Sequence, residues 1–271
     1  MPTGPETGPG LTIVKLGGSV ITRKQREERV RPKVLARLAT ELVASRRSIV
    51  LLHGAGSFGH PGAVRFGLAR PPADGDSPER RARGAAIVAT EVRRLHLAVL
   101  QALVRAGGRP ESIPISTHSR NAGGRLASLD AAPFRDALSA GRMPVSFGDV
   151  VPDSEWVSSI LSADAIAAAL AKAIPVERVL FVSDVPGVFD PARLEAREVL
   201  PVLTADLPER LSARTPGADV TGGIQGKVRE MLQIAADGAD AGLISGLSDG
   251  TLLRALRGER VHGSWATAAP R

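Results

Sequence analysis

Residues 11–18 read LTIVKLGG and residues 48–60 read SIVLLHGAGSFGH. In both, a run of branched apolar residues leads straight into glycine, the pattern of a strand buried on both faces that ends in a tight turn. Between them Val34, Leu35, Leu38, Leu42 and Val43 recur at helical spacing after Pro32, which suits a first helical turn. The order is strand, helix, strand, with glycine at the carboxyl end of each strand.

The same alternation extends along the chain. A loop is expected from Ala69 to Pro78, then a long amphipathic helix from Glu79 to Ala106, stopped by Gly107 and Gly108. Short strands are expected at Ser112 to Ile115 and Met143 to Phe147, with a polar, glycine-containing stretch and a short helix near Phe134 between them. A helix over Ala163 to Ala173, a strand over Val179 to Ser183, a helix over Gly226 to Ala236 and a strand over Ala241 to Ser245 follow. This pattern predicts an α/β fold, a three-layer αβα sandwich with a largely parallel central sheet, and puts ligands beyond the carboxyl ends of the strands. Residues 1–10 read as a flexible lead-in and 11–271 as a single domain, with a second lobe after about residue 180 built on the same sheet.

With 271 residues, 43% of them apolar and 23% charged, the chain is long and apolar enough to bury a sizeable core, which excludes disorder and collagen. It has no cysteine, which excludes disulfides, thiolate metal sites and a cysteine nucleophile. A reducing, cytoplasmic setting is expected. No apolar run approaches the ~20 residues of a membrane span, and the first ten residues lack the features of a signal peptide. The net charge of +7 admits a nucleic acid, a small anionic substrate or a mere excess of surface arginine. With no Tyr, 6 Phe and 2 Trp, and no basic stripe interleaved with aromatics, nucleic acid is disfavoured. Of the 35 Lys and Arg residues only five are lysine, at positions 15, 24, 33, 172 and 227. A compact ammonium in an arginine-dominated chain suggests a specific task.

Five segments carry candidate chemistry. Lys15-Leu16-Gly17-Gly18-Ser19, followed by Lys24, can present backbone N–H groups and mobile positive charge to an anion, although a strand followed by paired glycines is also an ordinary turn. His53 to His60 places Gly54, Ala55, Gly56 and Gly59 after a strand, either as an anion nest or for close packing, with His60 at its far end. Ser162-Ala163-Asp164 is either a helix cap or a carboxylate that holds lysines, and spacing does not choose between them. Ser183 to Phe189 ends a strand with Asp184, suited to a nucleoside or to an Asx-turn. Asp219 to Lys227 sets Gly222 and Gly223 before a helix whose early Lys227 opposes the helix dipole, as if an anion lay between them.

Six segments in this order, KLGGSVITRK, HGAGSFGH, SFGDV, SADAI, VSDVPGVF and DVTGGIQGK, resemble the amino-acid kinase superfamily over nearly the whole chain. HGAGSFGH and DVTGGIQGK are most similar to its isopentenyl phosphate kinase branch. The resemblance implies ATP and Mg²⁺ as cofactors, a small prenyl phosphate as substrate, and a homodimer. It implies that Lys15 touches the transferring phosphoryl group, that Gly17, Gly18 and Ser19 line the ATP phosphates, and that Lys24 stabilises the transition state. His60 with the amides of Gly54, Ala55 and Gly59 would bind the substrate phosphate, and Gly56 would approach the γ-phosphate. Asp164 would organise the lysines, Asp184 would lie on the nucleotide side, and Gly223 and Lys227 would contact the β- and γ-phosphates. It also implies an acceptor-binding lobe up to about residue 180 and an ATP-binding lobe after it. The chain departs from the family's usual SGDD at Ala163 and Ala165, which keeps a backbone contact from 163 and removes the second carboxylate. No constellation names protein ligands for Mg²⁺.

The expected reaction is transfer of the ATP γ-phosphoryl group to isopentenyl phosphate. The alternatives are a kinase of a phosphonate such as fosfomycin and a catalytically silent nucleotide-binding module. The tail pocket, expected between His60 to Leu68 and the helix from Glu79 to Ala106, discriminates the two acceptors: a long apolar slot favours the prenyl acceptor, a small polar one the phosphonate.

Overall fold

The computed structural model describes residues 10–23, 28–74, 76–212 and 223–268. Lys24, the lead-in up to residue 9 and the Asp219 to Gly222 part of the fifth segment lie outside the described residues.

The chain begins with β1 (Thr12–Leu16), α1 (Gly18–Ile21), α2 (Pro32–Ala44), β2 (Ile49–His53), α3 (Gly56–Arg65) and α4 (Pro78–Arg105). It continues through β3 (Pro110–Ser112), β4 (Ser119–Ala122), β5 (Arg125–Leu129), α5 (Ala132–Ser139), β6 (Met143–Phe147), β7 (Asp149–Asp153) and β8 (Val157–Leu161). The last elements are α6 (Ala163–Ala173), β9 (Arg178–Ser183), α7 (Leu207–Ser212), α8 (Gly223–Ala236), β10 (Asp240–Ser245), α9 (Thr251–Leu256) and β11 (Gly263–Ala266).

Seven strands form one sheet in the order β11-β10-β9-β1-β2-β6-β3. All neighbours are parallel except β11, which runs against β10. The fully buried TIVKL strand lies between two others, with Leu16 opposite His53 of β2 on one side and Val182 of β9 on the other. Alternate residues face opposite ways. Ile13, Val50, Leu52, Val179 and Phe181 pack with Phe134 of α5, Ile166 and Leu170 of α6 and Met231 of α8. Val14, Leu16, Leu51, Leu180 and Val182 pack with Leu38 and Leu42 of α2, Val99 and Leu103 of α4 and Leu252 of α9. These are the three layers expected from the alternation, and β9, β10 and β11 share the sheet of the N-terminal strands. The carboxyl ends of β1, β2, β6 and β9 converge on one edge, where the strand order departs from β1 in both directions.

Three local expectations need correction. The strand expected at Ser112 to Ile115 is shifted to Pro110–Ser112, and Ile115–Thr117 is a 3₁₀ turn. HGAGSFGH is an open loop only through Ala55, since α3 starts at Gly56 and continues through Pro61. Burial of Phe58 and Ala63 stabilises that helix despite its glycines. The polar stretch between the third and fourth expected strands, together with residues 149–161, folds into a second sheet ordered β5-β4-β7-β8. Its turns are tied by the Asp153 carboxylate, which accepts from the N–H groups of Gly123 (3.1 Å), Gly124 (2.8 Å), Glu155 (2.9 Å) and Trp156 (2.9 Å) and from the Ser159 hydroxyl (2.7 Å).

Candidate active site

A cleft of about 580 Å³ opens at the carboxyl ends of the strands. Apart from Lys24, it is lined by every site residue that the sequence singles out: Lys15, Gly17, Gly18, Ser19, Gly54, Ala55, Gly56, Gly59, His60, Ala163, Asp164, Asp184, Gly223 and Lys227. They come from β1, the two glycine turns, α3, α6, β9 and α8, so the fold gathers segments far apart in the chain.

The first two turns interlock. A Cβ on Gly18 would lie 2.4 Å from the Gly56 nitrogen, and Gly56 itself has φ of +51°, a conformation that L side chains rarely adopt. Glycine at both positions lets two backbones meet where one side chain would hold them apart. Thr22, fully buried, fastens the contact: its hydroxyl donates to Gly18 O (2.7 Å) and accepts from Ser57 N–H (3.0 Å). Sequence reasoning gave Thr22 no part although it lies within KLGGSVITRK, because its two bonds join turns that are remote in the chain.

The nest is narrower than expected. The Gly54 N–H donates to Leu16 O at 2.9 Å, so this amide is committed to the strand end and is not open to an anion. Gly59 serves helix packing, since a Cβ there would lie 2.8 Å from Val92 of α4. The N–H groups of Ala55 and Gly56 have no hydrogen-bond partner among the described residues. His60 is exposed on the first half of α3 and faces the same cleft.

Across the cleft, α6 opens with both alternatives read for SADAI realised at once. The Ser162 hydroxyl caps the helix by accepting from Ala165 N–H (3.1 Å), and Asp164 is left to bind the lysines. Lys15 Nζ lies 2.6 Å from Asp164 Oδ1, and Lys227 Nζ contacts Oδ2 of the same carboxylate. Burial alone would raise the Asp164 carboxyl, but Lys15 and Lys227 outweigh it and hold the group at about 2. Lys227 is lowered by burial and by Lys15, an effect Asp164 opposes, and its ammonium also lies 5.1 Å from the centroid of the Phe181 ring. In this structure, then, Asp164 is the anion that offsets Lys227 near the start of α8.

One turn after Lys227, Glu230 adds a second buried carboxyl that sequence reasoning missed. Its Oε2 has no hydrogen-bond partner among the described residues. Burial and the Asp164 charge push it up to about 7, against the pull of Lys227 and Lys15.

At the acceptor end, Pro61 and Ala63 of α3, Ala69, Val88 and Val92 of α4 and Ile160 of β8 make an apolar wall beside His60. Asp149, fully buried at the start of β7, also borders the cleft and pairs with Arg93 at 3.0 Å. Among the described residues no helix is long and apolar enough to cross a membrane.

The Glu230 carboxyl gives a stability signature. Raised in the fold from its ordinary 4.5 to about 7, it is protonated where the unfolded chain's is ionised. Unfolding therefore releases a proton between those values, and stability falls as pH rises from 4.5 through 7. Glu230→Gln removes that loss, so the variant is expected to exceed the parent at pH 8 by on the order of 2 kcal/mol and to match it near pH 4.5. Urea unfolding at the two pH values checks this, and an equal change at both would contradict it.

The amino acid kinase family model matches residues 10–244. An isopentenyl phosphate kinase of Methanothermobacter thermautotrophicus is 36% identical over 267 residues, covering 95% of this chain and 99% of the relative. One from Haloferax volcanii is 35% identical over 256 residues, covering 90% and 98%. A solved isopentenyl phosphate kinase structure superposes with a TM-score of 0.83 at 32% identity, covering 94% of this chain and all of that one. With its six motifs gathered around one cleft, the chain belongs to the amino acid kinase family, in the branch of the isopentenyl phosphate kinases.

Proposed function

We propose that this protein transfers the γ-phosphoryl group of ATP to isopentenyl phosphate, giving ADP and isopentenyl diphosphate. The observation that carries the choice of acceptor is the apolar wall of Val88, Val92 and Ile160 beside His60. A phosphate held at His60 and the free amide of Ala55, with the Gly56 amide left for the γ-phosphate, would set a short hydrocarbon tail against that wall. Fosfomycin, small and polar, gains little there.

The acceptor chemistry is simple. A phosphomonoester has its second pKa near ~6, so its attacking oxygen is already deprotonated at neutral pH and no general base is needed. That oxygen forms the new P–O bond as the bond from the γ-phosphorus to the β–γ bridging oxygen breaks, and the electron pair leaves with ADP. The protein's work is positioning and charge compensation. Lys15 and Lys227 reach the transferred group from β1 and α8, and Lys24 is assigned to the transition state from its place in the first motif. Gly17, Gly18, Ser19 and Gly223 border the donor phosphates, Asp184 the nucleoside side, and the first amide of α6 at Ala163 the acceptor. Mg²⁺ enters as part of the ATP complex. Residues up to about 180 form the acceptor lobe and those after it the nucleotide lobe, in a cytoplasmic enzyme.

An ADP-release assay across isopentenyl phosphate, dimethylallyl phosphate, geranyl phosphate and fosfomycin tests the substrate. The highest kcat/KM is expected with isopentenyl phosphate. A preference for fosfomycin would favour the phosphonate kinase, and ATP binding without turnover on any acceptor a silent module. His60→Ala is expected to raise the KM for isopentenyl phosphate about tenfold or more while moving that for ATP less than about threefold. An unchanged acceptor KM removes His60 from the site.

A homodimer is the assembly we propose. On the long α4, Leu97 and Val104 are 55% and 60% exposed and lie on one helix face. Light scattering at micromolar concentration should give twice the chain mass, and Leu97→Glu should return it to one.

A further inference from the structure

A line of hydrogen bonds, exposed at its outer end and buried inward of it, runs behind the second glycine turn, away from the cleft. It starts at Ser112, the last residue of β3, whose hydroxyl oxygen lies 2.8 Å from His96 Nε2 on α4. His96 Nδ1 lies 3.1 Å from His53 Nε2, and His53 Nδ1 lies 3.2 Å from the carbonyl oxygen of Gly54. His53 is fully buried and His96 is 5% exposed. Both rings pack on Phe147, with centroids 5.4 and 4.3 Å away.

The last acceptor in this line fixes every proton in it. A carbonyl can only accept, so His53 Nδ1 must carry hydrogen. Burial keeps both imidazoles neutral at physiological pH, His53 at about 4 and His96 at about 3. Neutral His53 therefore has a bare Nε2, which accepts from the Nδ1–H of His96. His96 Nε2 is then bare in turn, and the Ser112 hydroxyl donates to it. Each ring is the Nδ1–H tautomer.

Two neutral imidazoles add no charge to a phosphate site, but they do fix an orientation. In a trans peptide the C=O of one residue and the N–H of the next point in opposite directions. With the Gly54 carbonyl turned toward His53, the Ala55 N–H of the same peptide plane turns the other way. That side is the cleft, which Gly54 and Ala55 line and His53 does not.

We propose that Ser112, His96 and His53 form a positioning relay that locks the Gly54–Ala55 peptide with its N–H aimed at the phosphate of the acceptor. The relay deepens the acceptor-site reading above and rests on it. It assigns to His53, His96 and Ser112 a part in acceptor affinity although none of them touches the acceptor.

The test compares His96→Leu, which breaks the line, with His96→Asn, whose side-chain amide can stand in for Nδ1–H and donate to His53. His96→Leu is expected to raise the KM for isopentenyl phosphate about tenfold, with the KM for ATP and kcat at saturating acceptor each within about twofold of the parent. His96→Asn should recover most of the loss, and Ser112→Ala, at the outer end of the line, should raise the acceptor KM two- to threefold. The mild Ser112→Ala and His96→Asn changes carry the comparison if His96→Leu does not fold. Nitrogen NMR of the parent enzyme at pH 7 should show both histidines as Nδ1–H tautomers. An equal rise in both KM values, equal effects of Leu and Asn, an acceptor KM unmoved by Ser112→Ala, or an Nε2–H tautomer on either ring would overturn the relay. His60→Ala run alongside separates the two ideas. If it raises the acceptor KM while the His96 and Ser112 variants do not, the relay fails alone, and if it too leaves that KM unchanged, the acceptor site is misplaced.

Discussion

Lys15 extends from β1 and Lys227 from α8, which packs on α6 and β10, and both ammonium groups reach the same buried carboxylate. Two like charges held by one carboxylate repel each other, and each also loses hydration on burial. Asp164, at the first turn of α6, binds one ammonium with each carboxylate oxygen and makes the arrangement tenable. The strand, α6 and α8 are thereby fixed at the one point where the cleft needs them. Anything that adds negative charge to the cleft alters the balance on which all three elements depend.

That constraint also explains which parts of the molecule can be read from sequence. The parallel strands β1, β2, β9 and β10 are covered on both faces, so they appear as unbroken apolar runs. The helices α2, α4 and α6 show their buried stripes plainly. By contrast, β4 and β5, with sequences SRNA and RLASL, lack an apolar run: β4 buries the polar Ser119 and Asn121, and β5 is largely exposed. The turns of their sheet are tied by the Asp153 carboxylate, whose five donors come from two separate turns and from Ser159 of β8, and no periodicity announces that. The α3 segment GSFGHPGAVR has the glycines and proline of a loop and is a helix because α4 packs against it.

The site shows the same division. Its members were legible as glycine turns, scattered lysines and a helix-opening Ser-Ala-Asp, and all those described line one cleft. Their pairings were not legible, because they depend on contacts between remote segments. Spacing alone could not separate Asp164 as a cap from Asp164 as a partner of Lys15, nor show that the Gly54 amide is tied to Leu16. Glu230 has the spacing of an ordinary helix-surface charge three residues after Lys227, and only its burial makes it unusual. Thr22, His53 and His96 join elements that sequence order keeps apart.

The charges around the lysines bear on how such a cleft receives its ligands. With Asp164 ionised and Glu230 close to half protonated at neutral pH, the buried cluster is almost balanced before any phosphate arrives. On the proposed reading a nucleotide polyphosphate would compete with Asp164 for the same ammonium groups, and Asp164 need not leave, because each ammonium has three donors and a carboxylate engages only one or two of them. Negative charge added beside the lysines would act on a carboxyl that can still take a proton, and Glu230, which already feels Asp164, Lys227 and Lys15, is such a group. Uptake of a proton there would keep the cluster positive toward a transferred phosphoryl group without moving a lysine. The burial that raises the Glu230 carboxyl is thus the condition under which it could adjust the field when two polyanions are brought together.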